Sequence, residues 1–256
     1  MRTLLNVFSA ETLKLKRTIA LCMVVIAPAA VVGLVIFLTA NVTTLLLNPR
    51  IELWASLVRL MLIFWSMLML PLYVTLETAL VAGVDHSENH WKVLLPRPVP
   101  RWTFYAVKLF TVAIMTGLSM LLLVFGIVLA GLLLPHLQSD LRFGAPIPWF
   151  MIFQKAADVA GLAFLMLAIQ HWVSLRWRSF TVSVAVGIVG LVVGYGMLLT
   201  AQKGSPGLAI YCPWSFPIMA VIGQPADVTR LLVLSAFLAI TGSAIGCWEF
   251  SRRDVD

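Results

Sequence analysis

Between Ile19 and Ala40 the chain runs for 22 residues without a charged side chain. At about 1.5 Å per residue, a helix of that length matches the ~30 Å hydrocarbon core of a bilayer. Five more stretches of this kind follow, at about 53–82, 109–134, 149–173, 179–202 and 228–248. A soluble fold has no way to hide so much apolar surface. Hydrophobic residues make up 61% of the chain and charged residues only 11%, against about 25% charged in an ordinary soluble domain. The predicted fold class is therefore all-α: a polytopic membrane protein whose residues 1–256 form a single transmembrane domain with six transmembrane helices. The first run is too long for the core of a signal peptide and is expected to be retained.

Loop charges orient the spans. Arg2, Lys14, Lys16, Arg17, Lys92, Arg97, Arg101, Lys108, Arg176, Arg178, Arg252 and Arg253 fall on one side, and only Arg50, Arg142 and Lys203 on the other. Twelve against three predicts that both termini and the 2–3 and 4–5 loops are cytoplasmic. The net charge of +7 is then explained by topology and anionic headgroups, and nucleic acid is not expected as a partner. Cys22, Cys212 and Cys247 form no CxxC and no disulfide framework.

Two connections carry more than charge. In residues 1–18, Leu5, Phe8, Thr12 and Leu15 recur at helical spacing, while Glu11, Lys14, Lys16 and Arg17 supply a polar side. This reads either as an interfacial amphipathic helix or as a basic flank that sets topology. The outer 203–227 loop mixes Pro206, Pro213, Pro217 and Pro225 with apolar residues. It is expected to fold back onto the membrane surface as short helices.

Within the spans, Arg59, Glu77, Lys155 and Asp158 are candidates for a polar pathway or for a structural ion cluster. Lys155 and Asp158, three residues apart, can neutralise one another, and Arg59 lies at a depth from which it can reach Asp158. Ser183, Gly187, Gly190 and Gly194 make a small-residue face for helix packing or for a dimer. Pro28 and Pro71 are candidate kinks.

The 83–108 loop is the most polar segment, yet it contains Trp91, Leu94 and Leu95. Charge combined with apolar anchors suits protein–protein contact. A metal reading of His86, Glu88 and His90 is weaker. On a helix Glu88 points away from the two histidines; on a strand all three share one face, which a zinc site could use, but no downstream Cys or His supplies a ready fourth ligand. No metal site is predicted.

The order of these features resembles the permease subunit of type-2 ABC exporters, in particular the permeases that export, or give immunity to, lantibiotics and bacitracin. The residues that carry the resemblance are Glu11 to Arg17, then Glu88, Trp91, Lys92, Leu94 and Leu95, the Pro98–Pro100 turn with Arg101 and Lys108, and the ending Phe250 to Val255. The resemblance implies a bacterial cytoplasmic-membrane transporter with no enzyme activity of its own. It implies a partner pair of cytoplasmic ATPases that carry ATP and Mg, and pairing with a second copy or a sister permease. It also implies ATPase coupling through Glu11, Lys14, Arg17, Glu88, Trp91, Lys92, Arg97 and Arg101, with the 4–5 loop as a second contact. The chain has no GxxxxGK[ST] phosphate cradle, so this chain is expected to bind no cofactor itself. Two rival classes are a membrane enzyme, which needs convergent Ser, His, Asp or Glu at membrane depth, and an ion-coupled carrier, which favours inverted repeats with broken helices. The sequence shows neither pattern.

Overall fold

The computed structural model describes residues 18–42, 52–87, 100–138, 141, 143, 145–201 and 208–252. Among the described residues, six helices are long and apolar enough to cross a membrane. The first is α1 (Ile19–Asn41). The second span is α2 (Leu53–Phe64), a π-helical turn (Trp65–Met69) and α3 (Leu70–Ser87). Next come α4 (Arg101–Leu137), α5 (Trp149–Arg176) and α6 (Phe180–Ala201). A short helix α7 (Phe216–Ile222) precedes α8 (Pro225–Arg252).

The π turn has a local cause. Pro71 has no N–H, so the Met67 carbonyl loses its usual i+4 partner. The backbone N–H of Leu70 bonds instead to the Trp65 carbonyl, five residues back, which is the wider π pattern. The sequence suggests a kink at Pro71, and the structure distributes the perturbation over Trp65–Met69.

α4 is longer than hydropathy indicates. The apolar run begins at about 109, yet the helix starts at Arg101, directly after Pro100. Residues 101–108 contain nothing that breaks a helix, and proline suits its entrance. At 37 residues it is about 55 Å long. α8 likewise opens on Pro225, with Asp227 in its first turn, where the helix dipole favours an acid.

The second span forms the centre of the bundle. Its most apolar window is 56% buried, against 22% for the fifth and sixth spans. Trp65, Leu57, Met61 and Leu62 pack there with Val112, Leu123 and Ile127 of α4 and Val159 and Leu162 of α5. The small residues Gly126 and Gly131 let neighbours approach α4: Val32 of α1 lies over the first and the Trp54 indole over the second. Outward-facing apolar side chains such as Phe125, Phe150, Val192 and Phe237 meet lipid, as a membrane bundle requires.

Residues 208–223 pack against the bundle. A 3-10 turn (Ala209–Tyr211) leads to α7, and the Ser215 hydroxyl closes the approach by bonding to the Ala209 and Cys212 carbonyls. Phe216, Ile218 and Ala220 are buried.

Candidate functional site

The end of the bundle where α3 finishes, α4 begins and α5 passes into α6 carries Arg101, Arg176 and Arg178, and is called the basic end below. Two layers of polar groups meet there, one at the surface and one inside.

At the surface, Arg176 Nε lies 2.9 Å from Glu249 Oε1, and Trp172 Nε1 donates to Glu249 Oε2 at 2.8 Å. These contacts join α5 to α8. Trp172 meets Trp177 edge-on at 5.7 Å, and the Arg252 guanidinium sits 4.3 Å from the centre of the Trp248 ring, a favourable cation–π placement. A cleft of about 280 Å³ opens between α3 and the α5–α6 turn, lined by Ala79, Gly83, Ser174, Trp177, Arg178, Ser179, Phe180 and Ser183.

Below it lies a buried polar belt. Gln170 Nε2 donates to the Ser183 carbonyl at 2.7 Å, and the Ser174 and Ser183 hydroxyls are 2.6 Å apart. Ser174 also donates to the Gln170 carbonyl. His171 Nε2 donates to the Tyr105 carbonyl at 3.3 Å, with the Tyr105 ring edge-on at 4.8 Å. Lys108 Nζ donates to the Val81 carbonyl at 3.3 Å. Glu77 is completely buried, and neither of its carboxyl oxygens has a hydrogen-bond partner among the described residues. The belt thus ties α3, α4, α5 and α6 together through polar contacts, which are costly to leave unmade in an apolar interior.

Of this belt, Glu77, Lys108 and Ser183 stand out in the sequence, and Tyr105, Gln170, His171 and Ser174 do not. The His171 ring is 1% exposed inside α5. The signal that finds it is Gln170 and Ser174, four apart on one face of an apolar helix, with His171 between them.

The other sequence candidates separate. Arg59 is exposed on α2, on a face turned away from the interior. Lys155 does not pair with Asp158, and Arg59 pairs with neither. Instead Lys155 Nζ donates to the Ala220 carbonyl at 3.1 Å. Ala220 is in the last turn of α7, where carbonyls lack helical partners and the dipole favours a cation. This contact holds α7 to α5. Lys155→Met is expected to cost about 1.5–3 kcal/mol, the worth of a charged hydrogen bond. The readout is a lower midpoint of chemical unfolding in detergent, and an unchanged midpoint rejects the tether.

Ser183, Gly187, Gly190 and Gly194 face inward. A Cβ on Gly187 would lie against the Thr75 side chain of α3, and one on Gly190 against the Trp214 indole. Gly194 is in contact distance of Trp214, Ser215 and Cys212. Glu11, Lys14, Arg17, Glu88, Trp91, Lys92 and Arg97 lie outside the described residues, as does the Glu88–His90 part of the metal alternative. Arg101 heads α4 at the basic end.

The family model for ABC-2 family transporter proteins matches residues 7–194. The chain belongs to the ABC-2 transporter family. No curated protein and no solved structure matches it. The matched range takes in the first four spans, most of the fifth and both loops of the basic end. An ABC-2 permease is the transmembrane component of an ABC transporter, a transport subunit that works with an ABC ATPase. The six apolar helices make this one a multi-pass membrane protein.

Proposed function

We propose that this ABC-2 permease is the membrane half of an ATP-driven exporter in a bacterial cytoplasmic membrane. Its substrate is a lantibiotic-like peptide antibiotic or another amphipathic molecule, moved outward or out of the lipid. It pairs with itself or a sister permease, and its basic end is cytoplasmic and rests on the ATPase pair.

The observation that carries this reading is the length and continuity of α4. The helix begins at Arg101, immediately beyond the polar 2–3 loop, and runs unbroken to Leu137. Its length of about 55 Å exceeds the ~30 Å hydrocarbon core. A displacement at its foot is therefore delivered along the whole bundle, and the belt residues Tyr105 and Lys108 lie in its first two turns. Glu88, Trp91, Lys92, Arg97 and Arg101 supply the contact on the loop side, together with Glu11, Lys14 and Arg17 of the N-terminal segment. The α5–α6 turn supplies the second contact.

Arg101→Glu and Trp91→Ala are the direct tests. Each is expected to reduce co-purification of the ATPase with the tagged permease about tenfold or more, as loss of a central charged or aromatic anchor does at interfaces. Normal association in both variants would refute the coupling assignment. Protection of a sensitive host against nisin and bacitracin, compared with a strain lacking the permease, tests the substrate class. Equal sensitivity of the two strains removes peptide antibiotics from the proposal.

A further inference from the structure

α5 and α8 run side by side toward the basic end and are clamped at two levels. Farther from that end, Ser235 Oγ of α8 donates to the Gly161 carbonyl of α5 at 3.1 Å. Close to it, Gly246 of α8 lies so near Trp172 and Tyr105 that a Cβ there would overlap both. One turn further on, Arg176 and Trp172 hold Glu249. Between the clamps a groove of about 180 Å³ is left, with Leu165, Ala168 and Trp172 on one wall and Leu238, Gly242 and Glu249 on the other.

Gly242 opens the groove: a Cβ there would meet no described atom within 4 Å. Leu165 and Ala168 are buried at the floor, while Gly242 and Ile245 are exposed at the rim. The open side therefore faces lipid. Leu238 and Glu249 are 11 residues apart, about 16 Å along the helix axis. That is one leaflet's share of a ~30 Å hydrocarbon core. The only polar side chains in the lining, Trp172 and Glu249, lie at the basic end. The rest is apolar, and an apolar cavity of about 150 Å³ is already enough to take up benzene rather than water. At the mouth, Arg176 and Glu249 set a cation beside an anion, with side chains 39% and 36% exposed.

We propose that this groove binds one phospholipid of the leaflet at the basic end. One acyl chain lies along Gly242, and a zwitterionic phosphoethanolamine headgroup covers Arg176 and Glu249. The phosphate faces the guanidinium and the ammonium faces the carboxylate. An anionic headgroup would bring its phosphate beside Glu249 with no ammonium to answer the acid. A tail gains little by leaving other tails, so the headgroup contacts and the fit of the groove select the lipid. A second copy of the chain is the rival occupant. Against it, α8 presents Phe237, Ile240 and Ile245 around Gly242, large side chains where close-packed membrane helices place small ones. The site goes beyond the export reading and does not depend on it.

The test reads lipid, with neither ATPase nor transported molecule. The full-length permease is incubated in mild detergent with phosphatidylethanolamine and phosphatidylglycerol. Native mass spectrometry should show a single phosphatidylethanolamine retained per subunit. Gly242→Leu fills the groove without striking the protein, and should lower that retention about tenfold, within the range of overpacking costs. Gly196→Leu, equally open but on α6, should retain the lipid like wild type. Glu249→Gln should cut the preference for phosphatidylethanolamine about tenfold, the effect of one charged contact. Full retention in Gly242→Leu, or an unchanged preference in Glu249→Gln, overturns the proposal. Loss of self-association in Gly242→Leu with lipid retained assigns the groove to a second copy, and overturns it as well. Should Gly242→Leu fail to fold, the wild-type protein is labelled with phosphatidylethanolamine carrying a diazirine halfway along one chain. Residues 238–249 should then be labelled above the exposed face of α4 around Phe125, and equal labelling overturns the site.

Discussion

Trp54→Ala is expected to destabilise the bundle by about 3–5 kcal/mol, the usual cost of truncating a buried tryptophan. The indole is 3% exposed and makes three contacts at once. It lies over Gly131 of α4, where only a glycine leaves room for it. Its ring is tilted against Phe143 with centroids 4.8 Å apart. Its Nε1 donates to the Ala145 carbonyl at 3.0 Å. In lipid the driving force between helices is packing and hydrogen bonding rather than expulsion of water, so a hole in the packing has full effect. Trp54→Phe separates the contributions: it keeps most of the ring contact and loses only the hydrogen bond, about 1 kcal/mol. Unfolding midpoints in detergent distinguish the two. If Trp54→Ala unfolds like wild type, this end of the bundle is not held by the indole.

Gly187→Leu is the second large effect, expected at about 3 kcal/mol or more because overpacking forces the backbone apart. A Cβ at that position would run into Thr75 Oγ1 and Cγ2, so α6 must move away from α3. The movement would also pull Ser183 from Gln170 and Ser174, one turn away on the same helix. Gly196→Leu is the control. It sits on the same helix with nothing within 4 Å of its would-be Cβ, and should leave the midpoint within about 0.5 kcal/mol of wild type. The comparison also separates the two uses of the small-residue face. A face that packs inside the subunit loses monomer stability when Gly187 is enlarged. A face reserved for a dimer loses only self-association.

The six spans are legible in the sequence because twenty apolar residues leave a chain few alternatives. The ends of α4 and the π turn are less so. Arg101 and Lys108 lower the local hydropathy, so the apolar pattern fades at 109 although the helix continues. The polar belt is less legible still. Hydropathy reports how apolar a segment is, not which face turns inward, and Gln170, His171 and Ser174 are diluted by their neighbours. Lys155 shows the same limit. Its spacing from Asp158 allows a pair, but the carbonyls at the end of α7 offer a better acceptor, and α7 is distant in sequence. Tertiary neighbours decide such contests, and a single sequence does not name them.

Arg59 and Glu77 stand 18 residues apart. Five turns at 3.6 residues per turn make up that interval, so on an uninterrupted α-helix both would share one face. Yet Arg59 is exposed and Glu77 has no exposed surface. The π turn between them takes one additional residue into a single turn, which sets the second half of the span back by about 100° of rotation. The angular phase of the acid is therefore fixed two turns upstream, by a proline that never touches it. Any change that let residues 65–69 relax into regular helix would rotate Glu77 off the interior with its own neighbourhood unaltered.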